Sequence, residues 1–230
     1  VYNRALAAEE VRMHYERSFP RFGLVPFEPP ASGERAQSDV LSVTAGPNGC
    51  VALTTAKGRY VLEAAYSSPG ERIHWNALGI ETHAAEFGWS PHVSKVSKEV
   101  LQIEATGARY SLVRRIAVKK DRMECEDRII NSGEEPVGVI IENRLIGPQP
   151  FQETLSSGCP EAPLVFARAD ADTLGILVQD DVARRKFEAH LGLPVNQLKF
   201  RVMNLALDAG ASYTMRWTLY VLPAKADYFD

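Results

Sequence analysis

Residues 114–145 read RRIAVKKDRMECEDRIINSGEEPVGVIIENRL. Met123, Cys125 and Ile129 fall on alternate positions, with Glu124, Glu126 and Arg128 between them. A period of two is the repeat of an extended chain with one buried and one wet face. The two β-prone runs of this stretch, 122–131 and 137–146, are joined by Ser-Gly-Glu-Glu-Pro, a cluster of turn formers.

The same rhythm extends outward in both directions. Upstream, runs at 39–45, 50–56, 59–66, 100–105 and 109–118 carry β-branched and aromatic residues. Lys57-Gly58 predicts a hairpin turn between the second and third, and Thr106-Gly107-Ala108 joins the last two. Downstream, strands are expected over 164–169, 173–179, 198–206 and 212–222. In the last, Tyr213, Met215, Trp217, Leu219 and Val221 share one face, which places Trp217 in the core. That makes about ten or eleven strands. One later helix is expected, capped by Asp180 or Asp181 and running through Leu191, with Gly192 just past its end. Strands do not alternate with long helices, so a doubly wound α/β fold is disfavoured.

The fold class expected is therefore all-β, a large antiparallel β-sandwich. It is larger than a seven-strand immunoglobulin domain of about 100 residues. A short N-terminal helix precedes it. Residues 4–18 are good helix formers without Gly or Pro, and Pro20 ends them. Residues 20–35 carry four prolines and two glycines and read as an extended lead-in. The expected division is a helix and Pro-rich lead-in over 1–35 and the sandwich over 36–230.

The 230 residues are 45% hydrophobic and 24% charged, with a net charge of −3, which suits a folded globular chain and excludes disorder. No segment concentrates Lys and Arg, so no nucleic-acid partner is expected. The longest apolar run, 137–141, is too short to span a bilayer, and no membrane partner is expected. The three cysteines, Cys50, Cys125 and Cys159, contain no CxxC, which argues against a zinc ribbon or a disulfide scaffold. Three buried thiols, or one disulfide and one thiol, both fit, and compartment is left open. The chain starts at Val1 rather than Met and ends on Tyr228-Phe229-Asp230, as expected of a piece that continues into a further domain.

Chemistry concentrates in 71–83, ERIHWNALGIETH, and just after it. His83, Glu86 and His92 follow H-x2-E-x5-H, which matches no metal-ligand pattern, so no metal and no cofactor is expected. Glu142 and Arg144, two apart on one strand face, predict a cross-strand ion pair rather than a catalytic pair. No catalytic residue is assigned. Sugar binding needs an aromatic platform and planar hydrogen-bonding groups. His74, Trp75, Asn76, His83, Trp89 and His92 supply those types, although the plainer reading of Trp75, weighed above ligand contact, is a plug for the end of the sandwich.

The stretch 114–145 resembles the central hairpin of galactose-mutarotase-like supersandwich domains of carbohydrate-active enzymes. The rhythm shared is a basic strand end, an acidic strand, an Asn-x-Gly-x-x-Pro-Val turn and an apolar strand. GRYVLEAAYSSPGERIHWNALG, 58–79, resembles a strand and loop of such domains where they are fused to large glycoside hydrolases. GASYTMRWTLYVLPAKADYFD, 210–230, resembles their last strand. The resemblance implies a supersandwich over about 36–230. It also implies a non-catalytic accessory role in a parent resembling a bacterial glycoside hydrolase, with carbohydrate and an adjacent catalytic domain of the same polypeptide as partners. An extracellular or periplasmic parent is favoured. The alternative is an aldose 1-epimerase using a His acid and a Glu base. His74-Trp75-Asn76-Ala77-Leu78 echoes the His, aromatic and Asn-Leu motif of mutarotases, but an extra Ala lies before Leu78.

Overall fold

The computed structural model describes residues 27–67, 75–79, 85–86, 88–151, 153–156, 164–170, 172–191, 196–224 and 226. The helix expected over 4–18, residues 20–26 of the lead-in, and the tail 228–230 lie outside the described residues, as do His74, His83 and Cys159.

Sixteen strands and one short helix follow in order among the described residues. The first group is β1 (Glu34–Gln37), β2 (Ser42–Ala45), β3 (Val51–Thr54), β4 (Arg59–Ser67) and β5 (Trp75–Leu78). Next come β6 (His92–Ser97), β7 (Val100–Thr106), β8 (Tyr110–Val118), β9 (Arg122–Asn131) and β10 (Val137–Ile146). Then β11 (Glu153–Ser156), β12 (Leu164–Arg168), β13 (Asp172–Val178), helix α1 (Asp181–Arg185), β14 (Phe187–Leu191), β15 (Gln197–Leu207) and β16 (Ser212–Pro223) complete the chain.

They form two eight-stranded antiparallel sheets. The first runs β1-β2-β3-β4-β10-β15-β14, with β5 paired to β4 beyond the end of β3. The second runs β11-β12-β13-β16-β9-β8-β7-β6. The inward faces pack as one core. Met123, Cys125 and Ile129 of β9 and Met215, Trp217 and Leu219 of β16 are buried there, as their alternation predicts. Trp217 is fully buried, and its ring meets Phe200 of the opposite sheet edge-on at 5.1 Å and 69°.

Two expectations change. The segment 132–136 is not a hairpin turn, because β9 belongs to the second sheet and β10 to the first. It is a crossover, pinned by Asn131. The Asn131 amide nitrogen donates to the carbonyls of Glu135, Leu207 and Asp208 at 2.8, 3.1 and 3.0 Å, and its oxygen accepts from Gly133 N–H at 2.9 Å. Turn residues state that the chain reverses, not which sheet it enters. The later helix is also shorter than expected. Asp180 caps it by accepting from Ala183 N–H at 2.9 Å, but it ends at Arg185. His190, expected in a helix or loop, sits in strand β14 opposite Lys199. Phe187 and Ala189 pack on the core while Glu188 between them is exposed, so the period is two where a helix was expected.

The core also holds a buried polar knot. Arg114 of β8 grips Asp127 of β9 with two bonds, Nε to Oδ1 at 2.6 Å and Nη2 to Oδ2 at 2.9 Å, and neither residue is exposed. The same Nη2 donates to Asn143 Oδ1 of β10 in the other sheet at 2.7 Å, and Trp217 Nε1 donates to Asp127 Oδ2 at 3.1 Å. Burial alone pushes the Arg114 pKa down. The Asp127 carboxylate outweighs it and holds the guanidinium above its ordinary value.

Candidate functional site

The loop residues of interest surround strand β5 at one end of the sandwich. Its burial alternates, with Asn76 and Leu78 facing the core and Trp75 and Ala77 facing outward. Neighbours in sequence therefore serve opposite faces of the first sheet.

On the inner side, Asn76 is fully buried and its amide is spent inside the protein. Its nitrogen donates to Glu86 Oε2 at 2.9 Å and to the Tyr110 hydroxyl at 3.0 Å, and its oxygen accepts from Glu86 N–H at 3.0 Å. Tyr110 in turn donates toward the carbonyls of Ser67 at 3.0 Å and Tyr66 at 3.3 Å. Gly107, in the β7–β8 turn, makes the arrangement possible. A Cβ built there would lie 2.1 Å from Glu86 Oε2. Trp89 joins the same plug. Its indole N–H donates to the Ala77 carbonyl at 2.9 Å, and its ring packs 6.3 Å from Tyr66 and 6.0 Å from Tyr110.

On the outer side, Trp75 is half-buried and pairs with Ser67 of β4. Ser67 is anchored in turn, since its hydroxyl accepts from Ile140 N–H at 2.8 Å where β10 slips register against β15. Along the same face, Ala77 is opposite Ala65, Ala65 opposite Glu142, and Glu142 opposite Arg201. One step on, Glu63 is opposite Arg144, and Arg144 opposite Lys199. Glu142 is the hub. It accepts from Arg144 Nε at 2.6 Å, bonds Arg201 Nε, and lies 3.3 Å from Lys199 Nζ. Where a cross-strand ion pair was expected, Glu142 pairs both with Arg144 of its own strand and with Lys199 and Arg201 across the ladder. Burial pushes the Glu142 pKa up, but the Arg144 bond and charge, with Lys199 and Arg201, outweigh it and hold the carboxyl below its usual range. Glu63 is raised, by burial first, against the lowering pull of Arg144.

His92 lies elsewhere. It is exposed at the start of β6, opposite Glu104, and lines a cavity of about 350 Å³ with Ser32, Glu34, Pro47 and Pro91. The four sugar-site candidates among the described residues thus divide. Asn76 and Trp89 meet in the inner plug through Glu86, Tyr110 and Ala77, Trp75 is on the outer face, and His92 borders an edge cavity. Tyr110 and the outward Lys199 and Arg201 were not anticipated, nor was Glu86 as the partner of Asn76. Lys199-x-Arg201 on a predicted strand carried the same two-residue signature as Glu142-x-Arg144. Among the described residues no group of three or more His, Cys, Asp and Glu is placed to hold a metal ion, and no helix is long and apolar enough to cross a membrane.

No family model matches the sequence, and no curated protein matches it. Among solved structures, a putative aldose 1-epimerase of Escherichia coli K12 superimposes with a TM-score of 0.56 at 10% identity, over 82% of this chain and 98% of that one. A galactose mutarotase related enzyme of Lactobacillus acidophilus superimposes with a TM-score of 0.52 at 8% identity, over 84% and 98%. At such identities the likeness is one of fold, and the sandwich has the galactose-mutarotase-like fold.

Proposed function

We propose that this galactose-mutarotase-like sandwich is a carbohydrate-associated accessory domain, itself non-catalytic. It packs against a catalytic domain of the same polypeptide, in a parent of the glycoside hydrolase kind, and takes sugar on the outer face of its first sheet beside Trp75. The observation that carries this reading is the outward, half-buried Trp75 on a strand whose next residue is clamped by three hydrogen bonds. An indole carried on an anchored strand offers a platform to the C–H face of a pyranose. Ala77 next to it is half-buried, and past the buried Ala65 and Glu142 the partly exposed Arg144, Lys199 and Arg201 supply donors for hydroxyl groups.

The same geometry favours binding over epimerisation. Mutarotation needs one group that gives a proton and one that takes it. Glu142 is held ionised and its oxygens are engaged by three cations, so it is a poor acid and a poor base. Asn76, the most motif-like residue of the loop, faces away from Trp75 into the core.

Calorimetry with mono- and oligosaccharides, run beside polarimetry of freshly dissolved α-galactose, separates the readings. Weak binding that Trp75→Ala weakens by about tenfold, with mutarotation at the buffer rate, is expected. Faster mutarotation that His74→Ala abolishes would favour the epimerase. Absence of both signals would leave a scaffold that packs on its neighbour without touching sugar.

A further inference from the structure

Three fully buried polar atoms around the core knot have no hydrogen-bond partner in the protein: Arg114 Nη1, Asn143 Nδ2 and the Tyr66 hydroxyl. They belong to one neighbourhood. Arg114 Nη2 already donates to Asn143 Oδ1, so each orphan nitrogen is the second nitrogen or amide arm of a group fixed by its first bond. Turning the Asn143 amide over would set its NH₂ against the Arg114 donor, so the orphan cannot be removed that way. Tyr66 and Asn143 project from adjacent strands into the core, with Tyr66 opposite Ile141 and Asn143 opposite Ala64. That is the diagonal distance a long side chain spans. The charges nearest the Tyr66 hydroxyl include Arg114 and Asp127.

We propose that this locus is an internal hydration site, in which one ordered water accepts from Arg114 Nη1 and Asn143 Nδ2 and exchanges a hydrogen bond with the Tyr66 hydroxyl, bridging the two sheets. Each orphan buried group would otherwise carry its full desolvation cost. A water is the ligand whose valence fits, because it accepts twice and still has a hydrogen to give. A halide would also accept from these donors. The local charge argues against it. The Arg114 cation is already neutralised by Asp127 at two points, and an added anion would be a buried charge without a partner. The site thus extends the Arg114–Asp127 pair into a network that runs from β8 and β9 through the water to β4 and β10.

A crystal structure of the whole chain, with a second crystal soaked in sodium bromide, tests this directly. A single peak within hydrogen-bond reach of at least two of the three atoms, without anomalous signal from bromide, is expected. The inference is overturned if no peak is present and the three atoms pair with protein, or if bromide occupies the locus. Tyr66→Phe gives a second readout whose sign decides. If the hydroxyl is satisfied by water, its removal lowers the folded-to-unfolded ratio by roughly fivefold. If it is unsatisfied, removal leaves the ratio unchanged or raises it, and the proposal fails.

Discussion

Replacing Asp127 by Ala removes the carboxylate that grips the Arg114 guanidinium within the core. Both side chains are completely buried, so neither loses much energy to solvent screening in the native state. Breaking a buried pair from one side costs about 3–5 kcal/mol, because the remaining charge has no partner. Trp217 Nε1 would also lose its acceptor, which adds about 1 kcal/mol. A loss of about 4–6 kcal/mol is comparable to the whole stability of many domains, about 5–15 kcal/mol. Urea titration followed by Trp fluorescence and by far-ultraviolet circular dichroism reads the midpoint shift and the slope together. The double variant Arg114→Met/Asp127→Leu removes both charges and should lose far less than Asp127→Ala, since apolar replacement of a whole buried pair is often neutral. A loss below about 1 kcal/mol for Asp127→Ala, or a double variant as unstable as the single one, would refute the reading of this pair as fully buried and mutually dependent.

Three further outcomes follow from the geometry. Gly107→Ala should destabilise by about 1–3 kcal/mol through the clash with Glu86, and much of that loss should vanish in a Glu86→Ala background, as a double-mutant cycle would show. Glu142 has a folded pKa below its unfolded value, so its stabilisation is present above the unfolded pKa and is lost as pH falls through the folded one. Glu63 is raised, so its ionisation opposes folding at neutral pH and ceases to do so below its unfolded pKa. Glu63→Gln should therefore be more favourable to stability at pH 7 than at acid pH in denaturant titrations. Burial, helped by the Glu63 charge, pushes the Cys50 thiol up to about 12, and burial raises Cys125 as well. Alkylation of these two thiols in native protein at neutral pH should be slow and should speed up on denaturation, as peptide mass mapping would show.

The long central strands were legible because their alternation is strict and their inward residues are large, as in β9 and β16. The short strands β1, β5, β6, β11 and β14 were not. In β6, His92–Ser97 has no fully buried residue, so an edge strand there looks like a polar loop. In β14, five residues are too few to separate period two from a helix without the partner β15. The polar knot left a trace that was visible in retrospect. Asp127 occupies the gap in the Met123, Cys125, Ile129 face, and Arg114 lies opposite it in the neighbouring strand. Local alternation marks such an acid as misplaced, but only register supplies its partner. The site was legible as a set of residue types rather than as geometry. Trp75 and Asn76 are adjacent in sequence, and the strand they share sends them to opposite faces.

A chemical-shift map of the isotope-labelled chain titrated with an oligosaccharide tests the central claim most directly. The account predicts shifts at the Trp75 indole N–H and at the accessible residues of the same outer face, Ala77, Arg144, Lys199 and Arg201, with the buried amide of Asn76 and the Trp89 indole little changed. Shifts centred on the edge cavity at His92, or no shifts at saturating sugar, would contradict it.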